Sequence, residues 1–213
     1  GKFKTFTTTD GLPDDVITEL DKDREGNIWL GSANGAGRYS HGVFTQFTTA
    51  DGLSDNSVTA ICADSSQGIL LATGAHLHRF VDGKFYSVNG LVESGDGQLD
   101  HLVSGSDGSI WLGFRNAVVK RWKNGSVNKF ARPGNFTGRI NQLYEDPRGT
   151  VWLAQQQWLA RFRDGKFESV PLRDVGGTSL GVVYSVLIDR EDNVWLGFQS
   201  SGLARLTTKQ LFT

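Results

Sequence analysis

Several residues have the types that chemistry uses, and their spacing decides what they can do. Asp100 and His101 could form an acid and base pair, but neighbours on a strand point to opposite faces and cannot share a proton. Asp21-Lys22-Asp23-Arg24-Glu25-Gly26 imitates the opening of a calcium loop, yet Ser32 stands where the bidentate Glu belongs, so no calcium is expected there. Asp14, Asp15 and Asp55 could join a cation site, although capping of turns is the commoner use of such aspartates. The lone Cys62 reads as a small buried hydrophobe, and four scattered histidines beside it do not make a zinc cluster. Trp158 follows Gln155-Gln156-Gln157, an apolar plate beside amides, which suits a sugar ring or another polar solute. No nucleophile with a base in reach emerges, so neither a catalytic residue nor a cofactor nor a metal is expected.

Composition narrows the partners. The 213 residues carry 22 Lys plus Arg against 23 Asp plus Glu, and a net charge of −1 gives no electrostatic case for nucleic acid. Uncharged runs such as 176–188 fall short of the roughly 18 apolar residues of a membrane span, so no insertion of this segment is expected. With no methionine and a start at Gly1, the chain reads as a processed or excised piece. Glycine, 27 of 213, is well above the usual ~7% and is spread evenly, which favours many tight turns within a single domain over 1–213.

The elements that position these side chains follow from a repeat. Trp29, Leu70, Trp111, Trp152 and Trp195 stand at spacings of 41, 41, 41 and 43, and Phe3, Phe44, Phe85, Val127 and Phe167 keep the same period. Each of the five units holds four short β-type runs divided by turn residues; in the second they are 58–62, 69–72, 77–80 and 85–88. Asp82-Gly83 and Asp164-Gly165 are hairpin turns by composition. A four-stranded antiparallel unit of about 41 residues has two apolar faces that only like units can cover, which predicts an all-β fold, a β-propeller of such blades. The chain opens on a fourth strand, so the segment 1–8 is expected to complete the last blade, with the tail 209–213 competing for that place. A closed five-bladed ring, an arc of a larger propeller and two arcs joined as a homo-oligomer all remain open.

In a propeller, the loop before strand one and the loop between strands two and three share a face. Six residues past the Trp position, that face receives Gly35, His76, Ala117, Trp158 and Ser201, with Arg115 and Asn116 in the third repeat's loop. Strand one carries a polar band, Thr18-Glu19, Thr59-Ala60, Asp100-His101, Asn141-Gln142 and Tyr184-Ser185, readable as satisfied channel groups or as a polar pocket. Trp158, Gln155, Gln156, Gln157, His76, Arg115, Asn116, Asp100, His101, Asn141 and Tyr184 are therefore the candidate ligand contacts. Arg38, Arg79, Arg121, Arg161 and Arg205 recur on strand three as a row of positive charge or as bonds between blades. Asn124-Gly125-Ser126 and Asn135-Phe136-Thr137 match the glycosylation acceptor pattern, which arises often by chance.

Asp10-Gly11-Leu12-Pro13, Asp51-Gly52-Leu53-Ser54 and Asp23-Arg24-Glu25-Gly26-Asn27-Ile28-Trp29-Leu30-Gly31 closely resemble the two-component regulator propeller repeat, and Gly37-Arg38-Tyr39 and Asp82-Gly83-Lys84-Phe85 add the rest of its pattern. In the later units the Asp-Gly-Leu opening is replaced, by Gly90-Leu91-Val92-Glu93 for example. The resemblance implies a non-catalytic sensory region of a bacterial receptor, periplasmic or otherwise extracytoplasmic, upstream of a histidine kinase or diguanylate cyclase. It implies a small-molecule ligand, often an oligosaccharide, and supplies no catalytic residues. Two readings stand beside it: a lyase of the streptogramin-lyase type, with His101 and Glu19 as its candidates, and a scaffold for protein assembly.

Overall fold

The computed structural model describes residues 2–64, 68–130, 138–172 and 181–207. The described strands are dealt in chain order into five sheets, four strands in each of the first four and three in the fifth, as the repeat predicts. The second repeat forms Val58–Asp64, Gly68–Thr73, His76–Val81 and Lys84–Ser87, within two residues of the expected bounds. The chain divides into two compact units, Gly1–Ser104 and Gly105–Thr213.

The turns follow from residue type. Between third and fourth strands, the pairs His41-Gly42, Asp82-Gly83, Asn124-Gly125 and Asp164-Gly165 all have positive φ at both positions, the two-residue turn whose twist matches paired strands. The registers Ser40↔Val43 and Val81↔Lys84 close on those turns. The Asp-Gly-Leu opening also acquires a cause. The Asp51 carboxylate accepts from Thr48 N at 2.8 Å, Gly52 takes φ 101° with Phe85 O where a Cβ would stand, and Leu53 is buried.

In unit 1 the first two sheets bury a common core of Trp29, Phe47, Val58, Ile61, Leu71 and Phe85. Gly31 permits the close approach, since a Cβ there would stand 2.7 Å from Val58 Cγ1. Of the N-terminal segment expected as a strand, residues 2–7 are not bonded into a sheet and Thr8–Asp10 winds into a 3-10 turn, while Phe6 packs on Tyr39 and Phe44. In unit 2, Trp152, Leu159, Val183, Val186, Leu196 and Phe198 belong to one core. Burying each such side chain is worth ~1.5–3 kcal/mol, and the apolar faces left by four-stranded sheets explain why repeats pack together at all. The tail 208–213 and the acceptor-like Asn135-Phe136-Thr137 lie outside the described residues.

Candidate functional site

In the first, fourth and fifth repeats the hairpin between first and second strands is built around one aspartate. Asp23 Oδ1 accepts from the backbone N–H of Glu25 and Asn27, and Oδ2 accepts from Trp29 Nε1 at 2.8 Å and Asn27 Nδ2 at 2.9 Å. Asp146 and Asp189 hold Trp152 Nε1 and Trp195 Nε1 in the same way, at 2.9 and 2.8 Å. The indole bond, the Asn193 amide and the turn N–H groups stabilise the charged form of Asp189 and hold its carboxyl down to about 2. The segment that imitates a calcium loop thus spends Asp23 and Glu25 on the hairpin and Asp21 on Ala63 N of the second repeat. Asp14, Asp15 and Asp55 likewise accept from the backbone N–H of Val16, Thr8 and Ser57.

At the opposite end of the sheets in unit 1, where the loop before strand one meets the turn between strands two and three, two clefts of about 380 and 290 Å³ open. His76 lines both. Ser54, Asp55, Ser57, Thr59, Thr73 and Gln98 complete the polar wall of the larger one. His76 is exposed, and among the described residues none bonds its ring. Beneath it His78 is fully buried: its Nε2 accepts from Ser54 N at 3.4 Å and lies 3.0 Å from the Thr73 hydroxyl, while Nδ1 has no partner. A ring nitrogen that accepts from an amide carries no proton, so His78 is neutral with its hydrogen on Nδ1. Burial, reinforced by His76, pushes its pKa down to about 4.

Three residues of the polar band, Thr59, Asn141 and Gln142, are committed to the next repeat, and first-strand residues outside the band bridge repeats too. In unit 1 the Thr59 hydroxyl donates to Leu99 O at 2.5 Å, Asp21 accepts from Ala63 N at 2.7 Å, and the Ser104 hydroxyl donates to Asp64. In unit 2 Asn141 Nδ2 donates to Val183 O at 2.7 Å and Gln142 Oε1 accepts from Val186 N. Asp100 is buried and His101 half-buried on Leu99–Ser104. Thr18, Thr59 and Tyr184 each fall where the ladder shifts register, a bulge that re-aims the residue, and Tyr184 stands exposed.

The remaining candidates lie in unit 2. Gln155 is buried and donates through Nε2 to Gly138 O at 2.6 Å, leaving Oε1 buried without a partner. Gln156 takes φ 45° at the turn, Gln157 is exposed, and Trp158 opens the next strand 40% exposed. Asn116 Oδ1 accepts from Val118 N beside exposed Arg115. The strand-three arginines do not form a bare ring of charge: Arg38, Arg121 and Arg205 lie over Trp29, Trp111 and Trp195 at 5.7, 5.3 and 5.8 Å.

Two residues escaped notice in the sequence. His78 and Lys120 sit opposite Leu71 and Leu112, at the place where the other repeats put Gly37, Ala160 and Ala204 opposite Leu. Both are buried, and a large polar residue in a column of small ones is the signal that would have found them. Among the described residues no group of three or more His, Cys, Asp or Glu side chains is placed to hold a metal.

Comparison with known proteins gives the fold a context. Residues 11–34 match the family described as Two component regulator propeller. The extracellular domain of a hybrid two component system of B. thetaiotaomicron, BT4673, is similar at TM-score 0.74 and 19% identity, over 90% of this chain and 27% of that one. A second such domain, of BT3049, is similar at TM-score 0.57 and 16% identity, over 97% and 36%. Virginiamycin B lyase from Staphylococcus aureus is similar at TM-score 0.67 and 14% identity, over 90% and 69%. No curated protein sequence matches. The chain thus spans about a quarter of the length of the first extracellular domain it resembles, carries a two component regulator propeller repeat in its first blade, and has the propeller fold.

Proposed function

We propose that the chain is a non-catalytic, ligand-sensing propeller segment of an extracytoplasmic signal-transduction receptor. The observation that carries this reading is the loop end of unit 1, where two adjoining clefts share the exposed His76 and a wall of hydroxyl, carboxylate and amide groups. The donors and acceptors of that wall suit a polar solute that is held and released unchanged. The regulator repeat and the resemblance to extracellular sensor domains support the same reading. Among the described residues no helix is long and apolar enough to cross a membrane.

The test is a thermal-shift screen with neutral mono- and oligosaccharides, followed by mass spectrometry of any ligand recovered from the protein. The reading expects a saturable shift that His76→Ala weakens by about tenfold, with the ligand returned intact. A lyase reading, favoured by the likeness to virginiamycin B lyase and by His101 and Glu19, expects a new product that disappears in His101→Ala. A ligand-free assembly role expects no shift and a mass that rises with concentration in sedimentation.

A further inference from the structure

Away from those clefts, at the hairpin end of unit 1, a groove of about 620 Å³ runs between the first two sheets. Its floor holds Arg38, whose guanidinium lies 5.7 Å from the ring centres of Trp29 and Phe80 and 5.9 Å from that of Phe47. Arg38 is half-buried, its Nε is buried without an acceptor, and no described residue accepts a hydrogen bond from the guanidinium or pairs with it. An arginine stripped of much of its water and held over aromatic faces is short of an anion.

The third repeat shows what fits such a corner. There Trp111, Phe130, Phe162 and Phe167 reproduce the packing of Trp29, Phe47, Phe80 and Phe85, and Arg121 occupies the place of Arg38. The Nε of Arg121 is buried without an acceptor too, but its outer edge binds the Asp107 carboxylate, which also accepts from Lys123. At the matching position of the first repeat is Glu25, whose carboxylate accepts from Asn27 Nδ2 at 3.2 Å instead, and Ser40 replaces the lysine.

We propose that Arg38 is the anchor of a second binding site, one that takes the carboxylate of a small acidic molecule in the place that Asp107 fills for Arg121. Charge selects the class. The groove carries Lys22 and Arg24 besides Arg38, but Asp23, Glu25, Asp64 and Asp82 also line it, so a singly charged carboxylate is repelled less than a doubly charged phosphate. The planar fork of Arg matches two carboxylate oxygens, and the volume leaves room for a body of sugar size. The site shares no residue with the His76 clefts and does not depend on their function.

Sodium acetate and sodium glucuronate, titrated at constant ionic strength into protein labelled at arginine, are the probes. Guanidinium resonances of Arg38, assigned by their loss in R38Q, should move saturably, and those of Arg121 should not. Glucose should move neither, and inorganic phosphate should bind more weakly than glucuronate. Calorimetry should find glucuronate affinity reduced at least about tenfold in R38Q and, in case that variant unfolds, at least about fivefold in R38K, which keeps the charge and loses the fork. A silent Arg38, equal responses from Arg38 and Arg121, glucuronate binding unchanged in R38K, or phosphate bound more tightly than glucuronate would overturn the proposal.

Discussion

The corner around Trp29 in unit 1 and the corner around Trp111 in unit 2 are built alike and finished differently. Trp29 stacks on Phe47 at 5.6 Å and 20° and meets Phe80 edge-on at 4.8 Å; Trp111 lies on Phe130 at 5.5 Å and 30° and meets Phe162 at 4.8 Å. Aromatic packing is therefore the part that these two corners share. The charged trim varies: Asp23 ties Trp29 to its hairpin, while the third repeat has Gly105 at that position and uses Asp107 to neutralise Arg121 and Lys123. Packing that must fill space tolerates little change, whereas a polar edge facing solvent can be rewired in each repeat at small cost, and function is free to settle there.

That contrast can be attacked from its strongest side first. Trp29→Ala and Trp111→Ala should each cost about 3–5 kcal/mol in chemical denaturation, because each empties a full aromatic cavity. Near-neutral behaviour of either would break the equivalence of the two corners. Acid should separate the units next. His78 is buried and neutral in unit 1, with a pKa lowered from 6.5 to about 4. The unfolded chain takes up its proton first as pH falls, so the contribution of His78 is intact above about pH 6.5, is lost by up to about 3 kcal/mol down to about pH 4, and changes no further below it. Hydrogen exchange should report that loss in unit 1, and His78→Leu should flatten it.

Asp23→Ala should cost about 2 kcal/mol, since it strips the Trp29 indole and two turn amides of their acceptor. Asp107→Ala should cost no more than about 1 kcal/mol, because its pairs with Arg121 and Lys123 are partly exposed and screened. Its sharper effect is to leave Arg121 in the condition of Arg38.

The blade itself was open to reading. The Trp period and the Asp-Gly turns have local causes, a burial demand and a backbone that only some residues adopt, and both leave marks in the sequence. The polar band was half legible: Thr59 and Asn141 were visible as polar residues on apolar strands, but their acceptors are backbone carbonyls about forty residues away. The Arg38 corner was hidden for a subtler reason. Glu25 and Asp107 are both acids at one position, and their fates diverge because Asn27 offers a second amide hydrogen to Glu25 where the third repeat has Ser109. Trp158 and His76 stand exposed at the loop positions where propeller geometry put them.

The claim on which these comparisons turn is that the aromatic corner is fixed and the anion on its arginine is interchangeable. Acetate titrations of the natural protein and of Asp107→Ala, followed at both guanidinium groups, test it most directly. The account predicts a saturable response from Arg38 alone in the natural protein and from both Arg38 and Arg121 once Asp107 is gone. An Arg121 that stays silent in Asp107→Ala, with the fold intact, would contradict it.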